Sequence, residues 1–167
     1  MRRYSIMIFP ALLSIPAWGF DPRAVDIVSY RLGMTHERVL GLLKSQGYND
    51  PPPRLRDTDC IDAPGTRCVT MIEARTKDGT LLIHFTPPTR AAAVTEIAYT
   101  LDARRPGEPE AVEQAVLDRY GTPTSANPMT WCDRPPGGGP CAPHEPRLSF
   151  RHGVGVARIL TLTQGSR

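Results

Sequence analysis

Thr80-Leu81-Leu82-Ile83-His84-Phe85-Thr86, reached from Cys68 to Thr76 through Lys77-Asp78-Gly79, is the stretch that decides the fold. Leu81, Ile83 and Phe85 recur at every second position, the period of a strand with one buried face, while Leu82, His84 and Thr86 take the other side. Asp-Gly between two β-prone runs is a hairpin signal, because Gly adopts the backbone conformations that a tight reversal demands. Pro87 and Pro88 stop the strand. A further strand follows from Ala93 to Leu101, with Ile97, Tyr99 and Leu101 pointing one way. Consecutive strands joined by short turns predict an antiparallel sheet.

Upstream, Thr35 is placed to cap a helix whose buried stripe is Val39, Leu40, Leu42 and Leu43 and whose end is Gly47. Asp21-Pro22 predicts a shorter helix or helical turn reaching Tyr30 and burying Val25 and Val28. Between them and the hairpin, Asn49 to Arg56 contains three consecutive prolines and is expected to be an irregular connector. Downstream, Glu108-Pro109 opens a second helix with Ala111, Val112, Ala115, Val116 and Tyr120 on one face and Gly121 at its end. Strands are then expected at Met129 to Cys132, Arg147 to Arg151 and Val156 to Thr163, around a Pro/Gly-rich excursion from Pro135 to Pro146.

The order predicts an α+β fold, an antiparallel sheet packed by helices. Landmarks also repeat: Leu43 and Gly47, then Cys60 and Cys68, are followed at a near-constant offset by Leu117 and Gly121, then Cys132 and Cys141. That spacing predicts two tandem units of a helix plus three strands, residues 20–104 and 105–167, within one compact mature domain.

Residues 1–19 read as an export signal. Arg2 and Arg3 precede an apolar run from Ile6 to Ile15, and small residues stand at Ala17 and Gly19. The run is about half the ~20 residues a spanning helix needs, so cleavage before Phe20 is favoured over a retained anchor. No stable membrane anchor is expected afterwards, and the localisation implied is periplasmic or secreted. The net charge of +3 falls toward neutrality when Arg2 and Arg3 leave, and no dense basic run remains. A nucleic-acid partner is therefore not expected. Lys44 and Lys77 are the only lysines among the twenty basic residues, which reads as compositional bias toward Arg.

Four cysteines in an exported chain favour two disulfides. Proximity and the repeated spacing favour Cys60 with Cys68 and Cys132 with Cys141. A zinc site using these cysteines or His36, His84, His144 and His152 is the competing reading, but the gaps exceed the two to four residues usual between paired zinc ligands.

Leu32-Gly33-Met34-Thr35, with Val39-Leu40 following, resembles the Gly-Met-Thr-x-x-x-Val-Leu helix opening of the β-lactamase inhibitory proteins and of the SmpA/OmlA family of outer-membrane assembly lipoproteins. The resemblance implies an exported α+β protein of tandem units, each with its own disulfide, that works by binding another protein. The second unit carries Gly107-Glu108-Pro109 where that motif would stand, and no cysteine precedes Cys60 to take a lipid.

No catalytic constellation is legible. Gly-x-Ser-x-Gly is absent, and paired cysteines supply no thiolate. Asp57-x-Asp59-x-x-Asp62 could supply oxygens to Ca²⁺ but lacks the turn Gly and terminal Glu of a calcium loop, so a solvated acidic loop is the simpler reading. Glu108 and Glu110 read as helix-start charges, and Gly137-Gly138-Gly139 leads into no helix that could cradle phosphate. No cofactor and no metal is assigned.

The leading expectation is a non-enzymatic envelope protein that binds a protein partner. Its candidate surfaces are the exposed sheet face and the loop 133–140, with Trp131, Asp133 and Arg134 as the expected contacts; core packing is the alternative for Trp131. A small-ligand or metal binder with a pocket between sheet and helices is the second class, and a hydrolase with an unrecognised site the third.

Overall fold

A computed structural model describes residues 20–48, 52–76, 78–103, 108–134, 136–155 and 157–165. The export signal of residues 1–19 and the 104/105 boundary lie outside the described residues. The chain is α+β. Helix α1 (His36–Ser45) precedes strands β1 (Arg54–Cys60), β2 (Ala63–Arg75), β3 (Gly79–Thr86) and β4 (Ala93–Asp102). Helix α2 (Glu108–Tyr120) precedes β5 (Ser125–Ala126), β6 (Met129–Trp131), β7 (Arg147–His152) and β8 (Ala157–Thr163). All eight strands form one antiparallel sheet in the order β1-β2-β3-β4-β8-β7-β6-β5. A helix and a four-strand meander thus occur twice, and the meanders meet through their last strands. Four strands follow each helix, where three were expected.

Both helices bury their apolar stripes in one core. Val39 and Leu43 of α1, and Val116 and Tyr120 of α2, pack with Ile72, Leu81, Ile83, Phe85, Ile97, Leu148, Phe150 and Leu162. Burying each large aliphatic or Phe side chain stabilises by about 1.5–3 kcal/mol. Ala111 and Ala115, expected on the buried face of α2, are exposed. At the start of α1 the Thr35 hydroxyl accepts from the Arg38 N–H at 3.4 Å. At its end the Tyr48 N–H reaches the Leu43 carbonyl and the Gly47 N–H reaches Lys44, with Gly47 at φ 79°. That left-handed residue satisfies carbonyls that have no partner within the helix.

The segment expected as a short helix is instead a strap. Asp21 to Val25 makes one turn, and Ile27 and Tyr30 then exchange backbone hydrogen bonds of 3.0 Å around Val28 and Ser29, both at positive φ. Helix formation loses because Ile27 and Tyr30 must both reach the core, where they are 2% and 0% exposed. The Tyr30 hydroxyl donates to Gln46 Oε1 at 2.7 Å, and Asp26 pairs with Arg119 at 2.6 Å, so the strap ties α1 to α2. Burial pushes the Tyr30 phenol well above its ordinary range.

The connector ends earlier than expected. Arg54 already begins β1, because Pro52 and Pro53 exclude only themselves from the ladder. This edge strand is exposed along nearly its whole length, so no apolar alternation marks it.

Candidate functional site

One face of the sheet carries the helices; the other is open among the described residues. Three cross-strand rows define it. Arg54, Glu73, Leu82, Ala98, Thr161, Ser149, Thr130 and Ser125 stand opposite one another in succession across all eight strands. On one side runs Arg56, Met71, His84, Glu96, Thr163 and Arg147, and on the other Arg75, Thr80, Thr100, Ile159 and Arg151. The centre is therefore small, hydroxyl-bearing and aliphatic, half-buried by its own neighbours. His84, Thr86, Thr95, Glu96, Thr163 and Gly165 line a shallow cavity of about 300 Å³ on this face.

The stapled loop beside β6 is built from its own polar groups. The Cys132–Cys141 disulfide closes it, and Arg134 donates to Glu145 at 2.6 Å and to the Pro140 carbonyl at 3.3 Å. The other Glu145 oxygen accepts the Ala142 N–H at 2.8 Å. The Arg134 guanidinium, then the Ala142 N–H, hold the Glu145 carboxyl below the usual carboxylate range. Arg147 donates to the Ala142 and Pro143 carbonyls, bracing the loop from β7.

These contacts correct part of the sequence-based surface. Trp131 is 1% exposed: its ring lies against Phe20 and Tyr120, and its indole N–H donates to the Gly121 carbonyl. It belongs to the core and offers no area to a partner. Arg134 is a strut inside the loop, whereas Asp133 is exposed. What faces outward there is mostly Pro and Gly, which leaves the sheet face as the larger candidate.

Both predicted disulfides are present, Cys60–Cys68 and Cys132–Cys141. They fit an oxidising environment. No helix among the described residues is long and apolar enough to cross a membrane. The bridges do not occupy corresponding places: the first staples the β1–β2 hairpin, the second the β6–β7 connection. In the mirrored strand order β1–β2 corresponds to β5–β6, so the matched cysteine offsets mark different hairpins.

The acidic cluster is engaged by the protein itself. Arg67 holds Asp57 at 2.6 Å and Asp59 at 2.9 Å, and Asp62 accepts twice from the Arg90 N–H at 3.2 Å. Asp62 lies near Cys60 and Cys68, but their sulfurs are joined in a disulfide and are not thiolate ligands. His36 meets Glu37 at 3.3 Å, a local partner the sequence reading did not assign, and His152 ends β7 within 3.3 Å of Glu113 on α2. A second cavity of about 250 Å³, largely apolar, lies between the strap, α2 and the sheet, lined in part by Ile27, Tyr99, Val116 and Leu160.

Compared with protein-family models, curated proteins and solved structures, the chain matches none.

Proposed function

We propose that the protein is an exported, non-enzymatic component of a bacterial cell envelope that binds another protein through the open face of its sheet. The observation that carries the reading is the uncovered face itself, in which Leu82, Ala98 and Ile159 stand among hydroxyl side chains across the middle of an eight-stranded sheet. A rigid sheet held by two disulfides presents such a surface with little ordering left to do on binding. Export is supported by residues 1–19 and by the disulfides, and a protein partner by the resemblance to the β-lactamase inhibitory proteins. The mirrored strand order supports a tandem origin for the two helix-plus-meander units, although the disulfides took different positions.

The test is affinity capture from envelope extract with the mature chain and with Ala98→Arg, which plants a long charged side chain mid-face. A partner retained by the parent and lost by Ala98→Arg is expected. Equal retention by both, with Ala98→Arg folded by circular dichroism, removes the open face from consideration. The apolar cavity between α2 and the strap favours a second reading, a small-ligand carrier. Native mass spectrometry of the purified chain would support it by showing a retained small molecule.

A further inference from the structure

The two outer rows of the open face end in arginine on both sides. Arg56 and Arg147 terminate the row through His84 and Glu96, and Arg75 and Arg151 terminate the row through Thr80, Thr100 and Ile159. At the usual strand spacing these rows span about 24 and 19 Å, and they lie about 13 Å apart along the strands. Four guanidinium groups thus stand at the corners of a patch whose middle row holds Leu82, Ala98 and Thr161, with Ile159 beside Thr161 in the row that ends at Arg151. Among the described residues no carboxylate pairs with Arg56, Arg75 or Arg151, and all three are exposed. Arg147 gives its hydrogen bonds to loop carbonyls, which leaves its charge unneutralised. The face also carries acidic groups: inside the corners Glu73 is 3.9 Å from Arg54 and Glu96 lines the shallow cavity, and the exposed Asp102 stands one same-face position beyond Thr100, outside the Arg75–Arg151 row.

Resting on the open-face reading above, we infer that the partner is a protein whose contact surface carries acidic side chains around an apolar centre. An apolar middle with an Arg-bearing rim is the usual anatomy of a protein–protein contact, and charges at the rim choose the partner and speed its approach. Arg suits the role because its planar fork can grip a carboxylate through two parallel hydrogen bonds. A uniformly anionic surface such as a lipid headgroup layer fits less well, because Glu73 and Glu96 would face it from between the arginines.

The probe is a pair of synthetic heptapeptides, Glu-Ser-Leu-Val-Leu-Ser-Glu and the same sequence with Lys at both ends, titrated into the ¹⁵N-labelled mature chain. The acidic peptide should shift amides of β2, β3, β4, β7 and β8 and bind about tenfold more tightly than its Lys counterpart. Raising salt from about 50 to 300 mM should weaken it several-fold. The double variant Arg75→Glu with Arg151→Glu, both exposed and without a packing role, should reverse the preference. Shifts on the open face with no preference between the peptides overturn the acidic-partner inference while leaving the open-face reading standing. Shifts confined to the helix side overturn both. No shift with the acidic peptide, or tighter binding to phosphatidylglycerol vesicles than to it, also overturns the inference.

Discussion

Trp131 donates its indole N–H to the carbonyl oxygen of Gly121 across 2.9 Å, joining the short strand β6 to the end of α2. Gly121 is the left-handed residue that ends that helix, at φ 75°, and its own N–H returns to the Leu117 carbonyl at 2.8 Å. One glycine thus terminates a helix and accepts from the largest side chain in the core. Trp131→Phe keeps much of the aromatic packing but removes the donor, and is expected to cost about 1–2 kcal/mol. Trp131→Ala should cost about 3–5 kcal/mol. Urea unfolding followed by circular dichroism measures both. A Phe variant as stable as the parent would show that the bond contributes nothing. Partner capture by folded Trp131→Phe should be unchanged, because the ring is not on the surface.

Gly79 begins β3, and a Cβ there would run into the backbone carbonyl of Thr100 on β4. The clash is with main chain, which cannot rotate away as a side chain can. Gly79→Ala is therefore expected to destabilise by about 1–3 kcal/mol even though Ala is tolerated in many strands. Thermal unfolding checks it; an unchanged midpoint would mean that β3 and β4 separate at this end without penalty.

The parts of the fold legible in the sequence are those whose burial is periodic. β3 alternates cleanly because it is a central strand with one covered face, and the Asp78-Gly79 turn announces its partner. β1 escaped because an edge strand exposed on both sides has no alternation to read. The strap escaped because a tight turn with positive φ is usually marked by Asn or Gly, and here tertiary burial of Ile27 and Tyr30 imposes it on Val28 and Ser29. The disulfide pairs were legible from proximity, yet their shared spacing suggested equivalent positions that the strand order denies. Trp131 was ambiguous for a related reason: Gly121 and Phe20, which decide its burial, lie outside the local pattern.

Each disulfide closes a short loop, and the chain-entropy estimate assigns about 2.6 kcal/mol to a loop of about nine residues. The Cys60→Ala, Cys68→Ala double variant should lose up to that amount in urea unfolding, and the protein should unfold at lower urea when reduced. Because the first bridge lies in the β1–β2 hairpin, amide exchange should accelerate at residues 57–69 and much less in β7 and β8. Uniform acceleration would mean that the hairpin does not open independently of the rest of the sheet.

Acid should loosen the stapled loop before the sheet. Glu145 accepts from Arg134 at 2.6 Å and from the Ala142 N–H at 2.8 Å, and both favour the carboxylate, so its folded pKa is depressed. For a carboxyl of this kind the unfolded chain takes up a proton first as pH falls. The stabilisation is complete above the ordinary value of about 4.3 and disappears as pH drops through the lower folded value. The Ala142 amide resonance, followed by NMR from neutral pH downward, should move with a midpoint below that ordinary value. Glu145→Gln keeps an acceptor but has no charge to lose, so the same titration should be flat at Ala142, and the Arg134 side chain should exchange faster at neutral pH. A midpoint at the ordinary value in the parent would show that the Arg134 contact does not persist in solution. An unchanged profile in Glu145→Gln would assign the loop's acid sensitivity to another group.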